Sequence, residues 1–273
     1  MLNALTVDVE EHFHFCGLKT PLPFDELQRS SSLVVPQTER VLELLARTHV
    51  KATFFILGTV AERYPELIQH IAQEGHELAS HGYRHELVYQ MTPEAFERDV
   101  SLGLRALGAA VQVPILGYRA PSFSITKESL WAFGVLRRLG FRYDCSVFPI
   151  HHSRYGLPEA SRAPHAREGL TEFPMSTLRV GAFNIPVAGG AYFRLLPFAV
   201  VRQAFRRLNR EGIPGQFYVH PWELDETIPR LPVPWHRALT HYANLRQTRR
   251  RLEWLLEAFA FGPVRSVLGV HDS

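Results

Sequence analysis

The stretch LTVDVEEHF, residues 5–13, decides the fold of this 273-residue chain. Apolar and polar side chains alternate over residues 4–9, and a period of two predicts a β-strand with one apolar face. Asp8 and Glu10 share the other face, whereas Glu11 points away from them if the strand continues that far. The pattern therefore predicts two neighbouring carboxylates at the carboxyl end of a buried strand.

Four more stretches that resemble strands also end on ionisable side chains. In β/α folds the carboxyl ends of parallel strands meet at one edge, so residues distant in sequence can converge there. The stretches are ELASHGYRH with His81 and His85, ILGYRAPSF with Arg119, FRYDCS with Asp144, and QFYVHPW with His220.

Helical patterns separate these strands, and the alternation predicts an α/β fold with a largely parallel sheet or a barrel. No repeat or domain linker is visible, so we predict one domain over residues 1–273, with a motif core at 5–221 and a C-terminal helix and strand at 235–270 packed on it. The predicted helices span about 38–48, 60–74, 93–108, 127–139, 197–210 and 236–260, with a long loop at 146–169.

Composition indicates an ordinary globular protein and limits the classes of molecule that it is expected to bind. Thirty basic and 27 acidic residues give a net charge of +3, so no nucleic-acid partner is expected. No signal peptide and no apolar run of the ~20 residues of a membrane span is visible, which predicts a cytoplasmic protein without a transmembrane segment. Two cysteines form no disulfide framework, and the oligomeric state stays open.

The pair His81 and His85 has the spacing that places two imidazoles on one turn of a helix or helical loop, as a shared divalent ion requires. Gly82 follows His81, where a helix-borne metalloprotease needs glutamate, so that class is disfavoured. Asp8 and Glu10 can divide two roles, one as metal ligand and one as general base.

Taken together and in order, TVDVE, SHGYRH, GYRAPSF, YDCSVFP and FYVHP resemble the motif series of the polysaccharide deacetylases, carbohydrate esterase family 4, with its NodB-homology domain. Together with GGAYFR and HPWELD, the sequences of these motifs are most similar to those of the subfamily found with bacterial exopolysaccharide biosynthesis. The resemblance implies a distorted, incomplete (β/α) barrel, similar to a TIM barrel.

The resemblance also implies a role for each matching residue. It implies Zn²⁺ as the metal, with Co²⁺, Ni²⁺ or Mn²⁺ as alternatives. Because the family usually has adjacent aspartates, Glu10 and Glu11 both remain candidates for the carboxylate ligand. The implied set is Asp8 as general base, Glu10, His81 and His85 as metal ligands, Arg119 holding the base, Pro121 shaping the groove, the Ser122 amide as oxyanion donor, His220 as general acid, and Asp144 orienting His220.

The implied function is metal-dependent hydrolysis of N-acetyl amides on a bacterial exopolysaccharide or its precursor, beside the synthesis machinery. N-acetylated polysaccharides or oligosaccharides are the implied partners, and Tyr192, Phe193 and Trp222 are the predicted stacking surface for sugar rings. The sugar and the choice between N- and O-acetyl groups stay open. The alternatives are an amidohydrolase acting on a small cyclic amide or ureide, and a carbohydrate-binding protein with a decayed site.

Overall fold

The computed structural model of the protein describes residues 1–14, 32–152 and 154–271. In these ranges the strands are β1 Asn3–Val9, β2 Thr53–Ile56, β3 Glu77–Ser80, β4 Gly117–Tyr118, β5 Tyr143–Asp144, β6 His165–Arg167, β7 Leu170–Glu172, β8 Thr177–Val180, β9 Phe183–Pro186, β10 Gln216–Val219 and β11 Phe261–Gly262. The helices are α1 Val34–Thr48, α2 Gly58–Arg63, α3 Pro65–Gln73, α4 Pro93–Ala110, α5 Trp131–Arg138, α6 Gly190–Leu195, α7 Phe198–Arg210, α8 Trp235–Tyr242, α9 Leu245–Ala258 and α10 Val264–Leu268.

One sheet organises the molecule, with the strand order β10-β1-β2-β3-β4-β5-β7-β6. Neighbouring strands are parallel except for β6 and β7, and β11 pairs in parallel with the start of β1. The sheet curls into an incomplete barrel with β10 and β6 at its edges, which confirms the predicted α/β fold class. All strands that were predicted to carry site residues are therefore parallel and end at one rim.

Strand β1 has the two faces that its alternation predicted. Leu5, Val7 and Val9 are fully buried in the main hydrophobic core, where they pack with side chains of helices such as α1 and α9. Thr6 and Asp8 project to the inner, concave side, where they contact Arg119. The outer face holds the sheet to its helices, and the inner face positions polar groups.

Two predicted helices are interrupted. The pattern over 60–74 forms α2 and α3, because Pro65 begins a new helix and forces Tyr64 out of helical geometry, at φ −133° and ψ 60°. The pattern over 236–260 forms α8 and α9, which are separated at Asn244 with φ 55°. Hydrophobic periodicity continued through both breaks, so it did not reveal them.

Two features of the later chain also differ from prediction. The segment AGGAYFR, predicted as a tight turn, forms helix α6 after Gly189. Strand β8 was not predicted, and it forms a separate antiparallel hairpin with β9. Among the described residues, no helix has the length and apolar character that crossing a bilayer requires. Cys145 is a buried free thiol, and Cys16 lies outside the described residues.

Candidate functional site

Glu10, His81 and His85 converge at the rim of the sheet. Oε2 of Glu10 lies 2.7 Å from Nε2 of His85 and 3.6 Å from Nε2 of His81. One potential ligand atom from each residue lies within 4.8 Å of the others, and all three side chains are nearly inaccessible to solvent. The two imidazoles and the strand-end carboxylate that the sequence predicted together therefore form one cluster.

The cluster is held by loops that follow parallel strands. Glu10 directly follows β1 and His81 directly follows β3, while His85 lies four residues further on. Gly82 has φ +77° and His85 has φ +60°, so the chain between the histidines is an irregular loop instead of the predicted helical turn. A Cβ at residue 82 would lie 2.8 Å from Oδ2 of Asp99, which accepts a hydrogen bond from the Tyr83 amide.

The donor set fits a divalent metal ion. Nδ1 of His81 lies 2.7 Å from the carbonyl oxygen of Arg119. A carbonyl only accepts hydrogen bonds, so Nδ1 carries the proton and Nε2 directs a lone pair toward Glu10. Among the described residues, the buried atoms Oε2 of Glu10 and Nε2 of His81 have no hydrogen-bond partner of suitable geometry. Two imidazole nitrogens and a carboxylate oxygen are the donors of many zinc sites.

Glu10 is the carboxylate of this cluster, and Glu11 is engaged elsewhere. The Glu11 carboxylate accepts hydrogen bonds from the hydroxyl of Ser32 and from the amide of Leu33. Burial would raise the pKa of Glu10, but its electrostatic interactions with His85 and His220 hold it well below its ordinary value. The geometry therefore favours Glu10 over Glu11 as the metal ligand.

Asp8 lies beneath the cluster, paired with Arg119. Oδ1 of Asp8 accepts a hydrogen bond from Nη1 of Arg119 at 2.5 Å, and both side chains are almost completely buried. Arg119 also donates to the hydroxyl of Thr6 and to the amide oxygen of Gln216, and its guanidinium lies 4.2 Å from the ring centre of Phe55. Strands β1, β4 and β10 thus fix the predicted base through one guanidinium.

His220 enters the site from the other side of β1. It directly follows β10, and its Nε2 lies 3.5 Å from Oε1 of Glu10. Burial alone would lower the pKa of this imidazole. The charge of Glu10, the hydrogen bond and charge of Glu223, and the charge of Asp8 together raise that pKa to about 9. In the ion-free site His220 therefore carries a proton at neutral pH.

The carboxylate that orients His220 is Glu223, so the predicted role of Asp144 is corrected. Oε1 of Glu223 lies 2.6 Å from Nδ1 of His220, and Oε2 accepts a hydrogen bond from Nε of Arg194 at 2.8 Å. Burial would raise the pKa of Glu223, but Arg194 and His220 lower it to about 2. Sequence reasoning missed both Glu223 and Arg194.

The missed signal was the spacing between His220 and Glu223. Residues Pro221–Leu224 form a 3-10 turn directly after β10. In such a turn the side chains at i and i+3 lie one above the other, so a glutamate three residues after the histidine is in reach. The sequence HPWEL contains this spacing.

Asp144 instead anchors the loop that follows β4. Its carboxylate accepts hydrogen bonds from the amide of Ser146 at 2.8 Å and from the hydroxyl of Ser146 at 2.7 Å. That hydroxyl in turn accepts from the amide of Ala120 at 2.8 Å. Burial and the neighbouring Asp144 raise the pKa of Glu172 well above its ordinary value, so Glu172 is the carboxyl that holds a proton.

The loop that Asp144 anchors carries Pro121 and Ser122. Pro121 is buried, and Ser122 has a left-handed backbone with φ 52° and ψ 28°. Ser122 lines the same cleft as Glu10 and His220. The structure therefore places the predicted oxyanion residue beside the cluster, and the role of its amide stays a prediction.

A cleft of about 300 Å³ adjoins the cluster, at the small end of ligand pockets. Of the three aromatic residues predicted to stack on sugar, Tyr192 and Trp222 line it. Trp222 also stacks on His220, with ring centres 5.2 Å apart and an angle of 18° between the planes. Phe193 is only 1% exposed and packs on Phe217, so its predicted contact with sugar is wrong because α6 turns it into the core.

Two family models match the chain. Residues 22–143 match the polysaccharide deacetylase model, and residues 145–269 match a domain of unknown function, DUF3473. The first segment contains His81, His85 and Arg119, and the second contains His220 and Glu223. Asp8 and Glu10 precede both segments, so the described cluster is assembled from three parts of the chain.

Several characterised proteins are similar to part of this chain. A chitooligosaccharide deacetylase from Rhizobium leguminosarum bv. trifolii is 31% identical over 117 residues, which cover 42% of this chain and 50% of that protein. A peptidoglycan deacetylase from Helicobacter pylori is 33% identical over 111 residues, 40% of this chain and 36% of that protein. The chain thus matches half or less of the length of these relatives.

Solved structures show the same fold at low identity. A protein from Mycobacterium smegmatis assigned to the polysaccharide deacetylases superposes with a TM-score of 0.63 at 20% identity, covering 97% of this chain and 88% of that one. A carbohydrate esterase family 4 pseudoenzyme from Bacillus anthracis superposes with a TM-score of 0.51 at 15% identity, covering 98% and 65%. Residues 22–143 therefore carry a polysaccharide deacetylase domain of the NodB, carbohydrate esterase family 4, type, and residues 145–269 carry the DUF3473 domain.

Proposed function

We propose that this chain is a metal-dependent hydrolase that removes N-acetyl groups from a bacterial exopolysaccharide or its precursor. One observation carries the proposal. Glu10 lies within 3.6 Å of His81, His85 and His220. Glu10 comes from the beginning of the chain, whereas the three histidines come from its middle and late parts. The partial relatives that act on chitooligosaccharides and peptidoglycan support an N-acetylated sugar as substrate. The sequence resemblance to the exopolysaccharide subfamily supports the choice of polymer.

Glu10, His81 and His85 would hold the metal, with Zn²⁺ first among the candidates. When bound, the ion would supply Lewis acidity to the amide carbonyl and to a water molecule. Glu10 serves as ligand, which leaves Asp8 as the carboxylate that accepts the proton of the attacking water. Arg119 fixes Asp8 in place through their buried ion pair.

His220 would protonate the departing amine. It lies 3.5 Å from Glu10 and is not assigned to the metal, and Glu223 holds its Nδ1 so that Nε2 faces the cluster. The Ser122 amide would stabilise the developing oxyanion beside the cleft. Asp8 must begin each cycle deprotonated and His220 protonated. Glu10 and Glu223 favour the protonated state of His220.

The direct test is acetate release from chitohexaose by the chelator-treated protein with and without added Zn²⁺. We expect activity only with metal and a loss of about 10²–10⁴-fold in kcat for Asp8→Asn, the usual range for removing a general base. His81→Ala should abolish stoichiometric metal binding measured by elemental analysis. His70→Ala, at a half-exposed histidine paired with Glu39, is the matched control.

The outcomes separate the alternatives. Full activity of Asp8→Asn would refute the base assignment. Activity on cyclic amides or ureides, without activity on chitohexaose, would support the small-molecule amidohydrolase. Sugar binding without a bound ion or acetate release would support the decayed carbohydrate-binding protein.

A further inference from the structure

The cleft beside the cluster is lined by more cations than anions. Among its described lining residues, Glu10 is the carboxylate, and three arginines contribute guanidinium groups. The charge of Arg194 is neutralised by its buried ion pair with Glu223. Arg237 on α8 forms no ion pair with any described residue, and Arg154, on the segment after β5, also lines the cleft. Since Glu10 is committed to the histidine cluster, the remaining described lining of the cleft has more positive than negative side chains.

The two outer arginines line the same cleft as His152. The amide of Arg154 donates a hydrogen bond to Nδ1 of His152 at 3.3 Å, and the ring of His152 stacks on Tyr155 at 3.8 Å. Partial burial and the charges of Arg154 and Arg237 lower the pKa of His152, as expected if both guanidinium groups are near it. The cations therefore form one patch that belongs to the cleft, and Tyr155 places an aromatic surface beside it.

Building on the deacetylase function proposed above, we infer that the substrate carries an oxyanion next to the acetylated sugar, and that Arg154 and Arg237 bind it. A guanidinium group binds carboxylates and phosphates through two parallel hydrogen bonds, so either a uronic acid or a sugar phosphate has the required chemistry. A neutral glycan would make no use of this positive charge. Both arginines lie in the segment 145–269, so the inference assigns substrate selection to that domain.

Three substrates with the same acetylated sugar test the inference. Chitohexaose is neutral, a hyaluronan hexasaccharide alternates N-acetylglucosamine with a carboxylate sugar, and UDP-N-acetylglucosamine carries a diphosphate. We expect kcat/KM at least tenfold higher for one of the two anionic substrates than for chitohexaose, and the preference should shrink as salt rises. The favoured anion distinguishes a carboxylate polymer from a phosphate-linked precursor.

Substitution of the arginines should remove the preference. Arg237→Ala and Arg154→Ala should each reduce the ratio of kcat/KM for the favoured anionic substrate to that for chitohexaose by about tenfold, the loss of one charge-assisted contact. Arg202→Ala removes the same charge from the exposed face of α7 and should leave the ratio unchanged. Equal kcat/KM on all three substrates, or a ratio that neither cleft substitution alters, would overturn the inference.

A binding measurement separates this inference from the proposed function. The Asp8→Asn protein is titrated calorimetrically with the hyaluronan hexasaccharide, UDP-N-acetylglucosamine and chitohexaose, with and without Arg237→Ala. Tighter anion binding that depends on Arg237, without acetate release by the unaltered protein, would support the anion site and contradict the deacetylase function. Acetate release without tighter anion binding would support the deacetylase function and contradict the anion site.

Discussion

Glu223 is the residue on which the proposed acid depends most directly. Its carboxylate contacts Nδ1 of His220 and is itself held by Arg194. Because Nδ1 is engaged, the other ring nitrogen is oriented toward Glu10 and the cleft. Glu223 therefore acts through His220, as a positioning residue that contacts no reacting atom.

Glu223→Gln should lower kcat for acetate release by about 100-fold with little change in KM, because a neutral amide supports the imidazolium less well. The assay is kcat and KM on chitohexaose, after circular dichroism has confirmed folding. Glu226→Gln, at an exposed glutamate paired with Arg246, is the matched control. A folded Glu223→Gln protein with kcat within about threefold of the unaltered chain would contradict this role.

At the scale of single residues, sequence reasoning succeeded where strand alternation determined direction. It placed Asp8 and Glu10 on one face because side chains alternate along a strand. It assigned Asp144 as the partner of His220 and missed Glu223, because a motif match does not show which side chain a short turn brings close. His220 directly follows β10, and the turn after that strand determines its neighbours.

At the scale of elements, the junction between Gly189 and β10 controls where His220 lies. Gly189 has φ +143°, a backbone conformation that glycine tolerates best, and it forms an isolated parallel bridge with Tyr218. A Cβ at residue 189 would lie 1.9 Å from the carbonyl oxygen of Tyr218. The start of α6 therefore packs directly on the backbone of β10, two residues before His220.

Gly189→Ala should destabilise the protein by about 3 kcal/mol, since the added methyl group requires both a strained backbone and displacement of β10. Urea unfolding measures the change. Gly108→Ala in α4 is the control, because nothing lies within 4 Å of the position that its Cβ would take, and it should be neutral or stabilising by about 1 kcal/mol. Equal unfolding free energies for the two variants would show that the close approach at residue 189 is tolerated.

The pattern of elements was largely predictable, and their breaks were not. The strand that contains Asp8 and the strands that directly precede His81 and His220 lie where alternation and apolar runs predicted them. The break at Pro65 was visible as a proline, but the break at Asn244 is set by how α8 and α9 pack on the rest of the fold. Local periodicity carries no information about such tertiary constraints.

At the scale of the whole molecule, the buried carboxyl pair of Asp144 and Glu172 links stability to pH. The pKa of Glu172 is raised in the folded state, so the folded protein binds a proton more tightly than the unfolded chain does. The stabilisation that this proton gives the folded state is fully present below the ordinary glutamate pKa of 4.5. It is lost as the pH rises toward the pKa of Glu172 in the folded state. Alkaline solution should therefore weaken the native state through this pair.

Glu172→Gln removes the ionisable group and should unfold with a weaker dependence on pH. Its unfolding free energy relative to the unaltered chain should increase steadily from pH 5 to pH 9, because only the unaltered chain must bury or neutralise a second carboxylate. Urea titrations across that interval test the trend. Glu159→Gln, at an exposed glutamate, should show the same pH dependence of the unfolding free energy as the unaltered chain. If the difference in unfolding free energy between Glu172→Gln and the unaltered chain stays constant with pH, the proton assigned to Glu172 is contradicted.

Whole-chain composition and local charge lead to different expectations about partners. The net charge of +3 argued for no particular polyanionic partner, because the 30 basic and 27 acidic residues nearly cancel. The cleft nevertheless has a cationic lining, because Arg154 and Arg237, distant in sequence, both line it. Sequence alone could not predict that they line one cleft, since this depends on where α8 and the segment after β5 lie in the fold.

Strand β1 lies inside the sheet, between β2 and β10, and its start also pairs with β11. Its partners in β10 are more than 200 residues further along the chain. While a ribosome synthesises the polypeptide, β1 has no β10 beside it. One hydrogen-bonding edge of β1 is then exposed and can pair with other chains. Glu10 cannot meet His220 until β10 has been translated and has docked, so the proposed hydrolytic site should be complete only after β10 has joined the sheet.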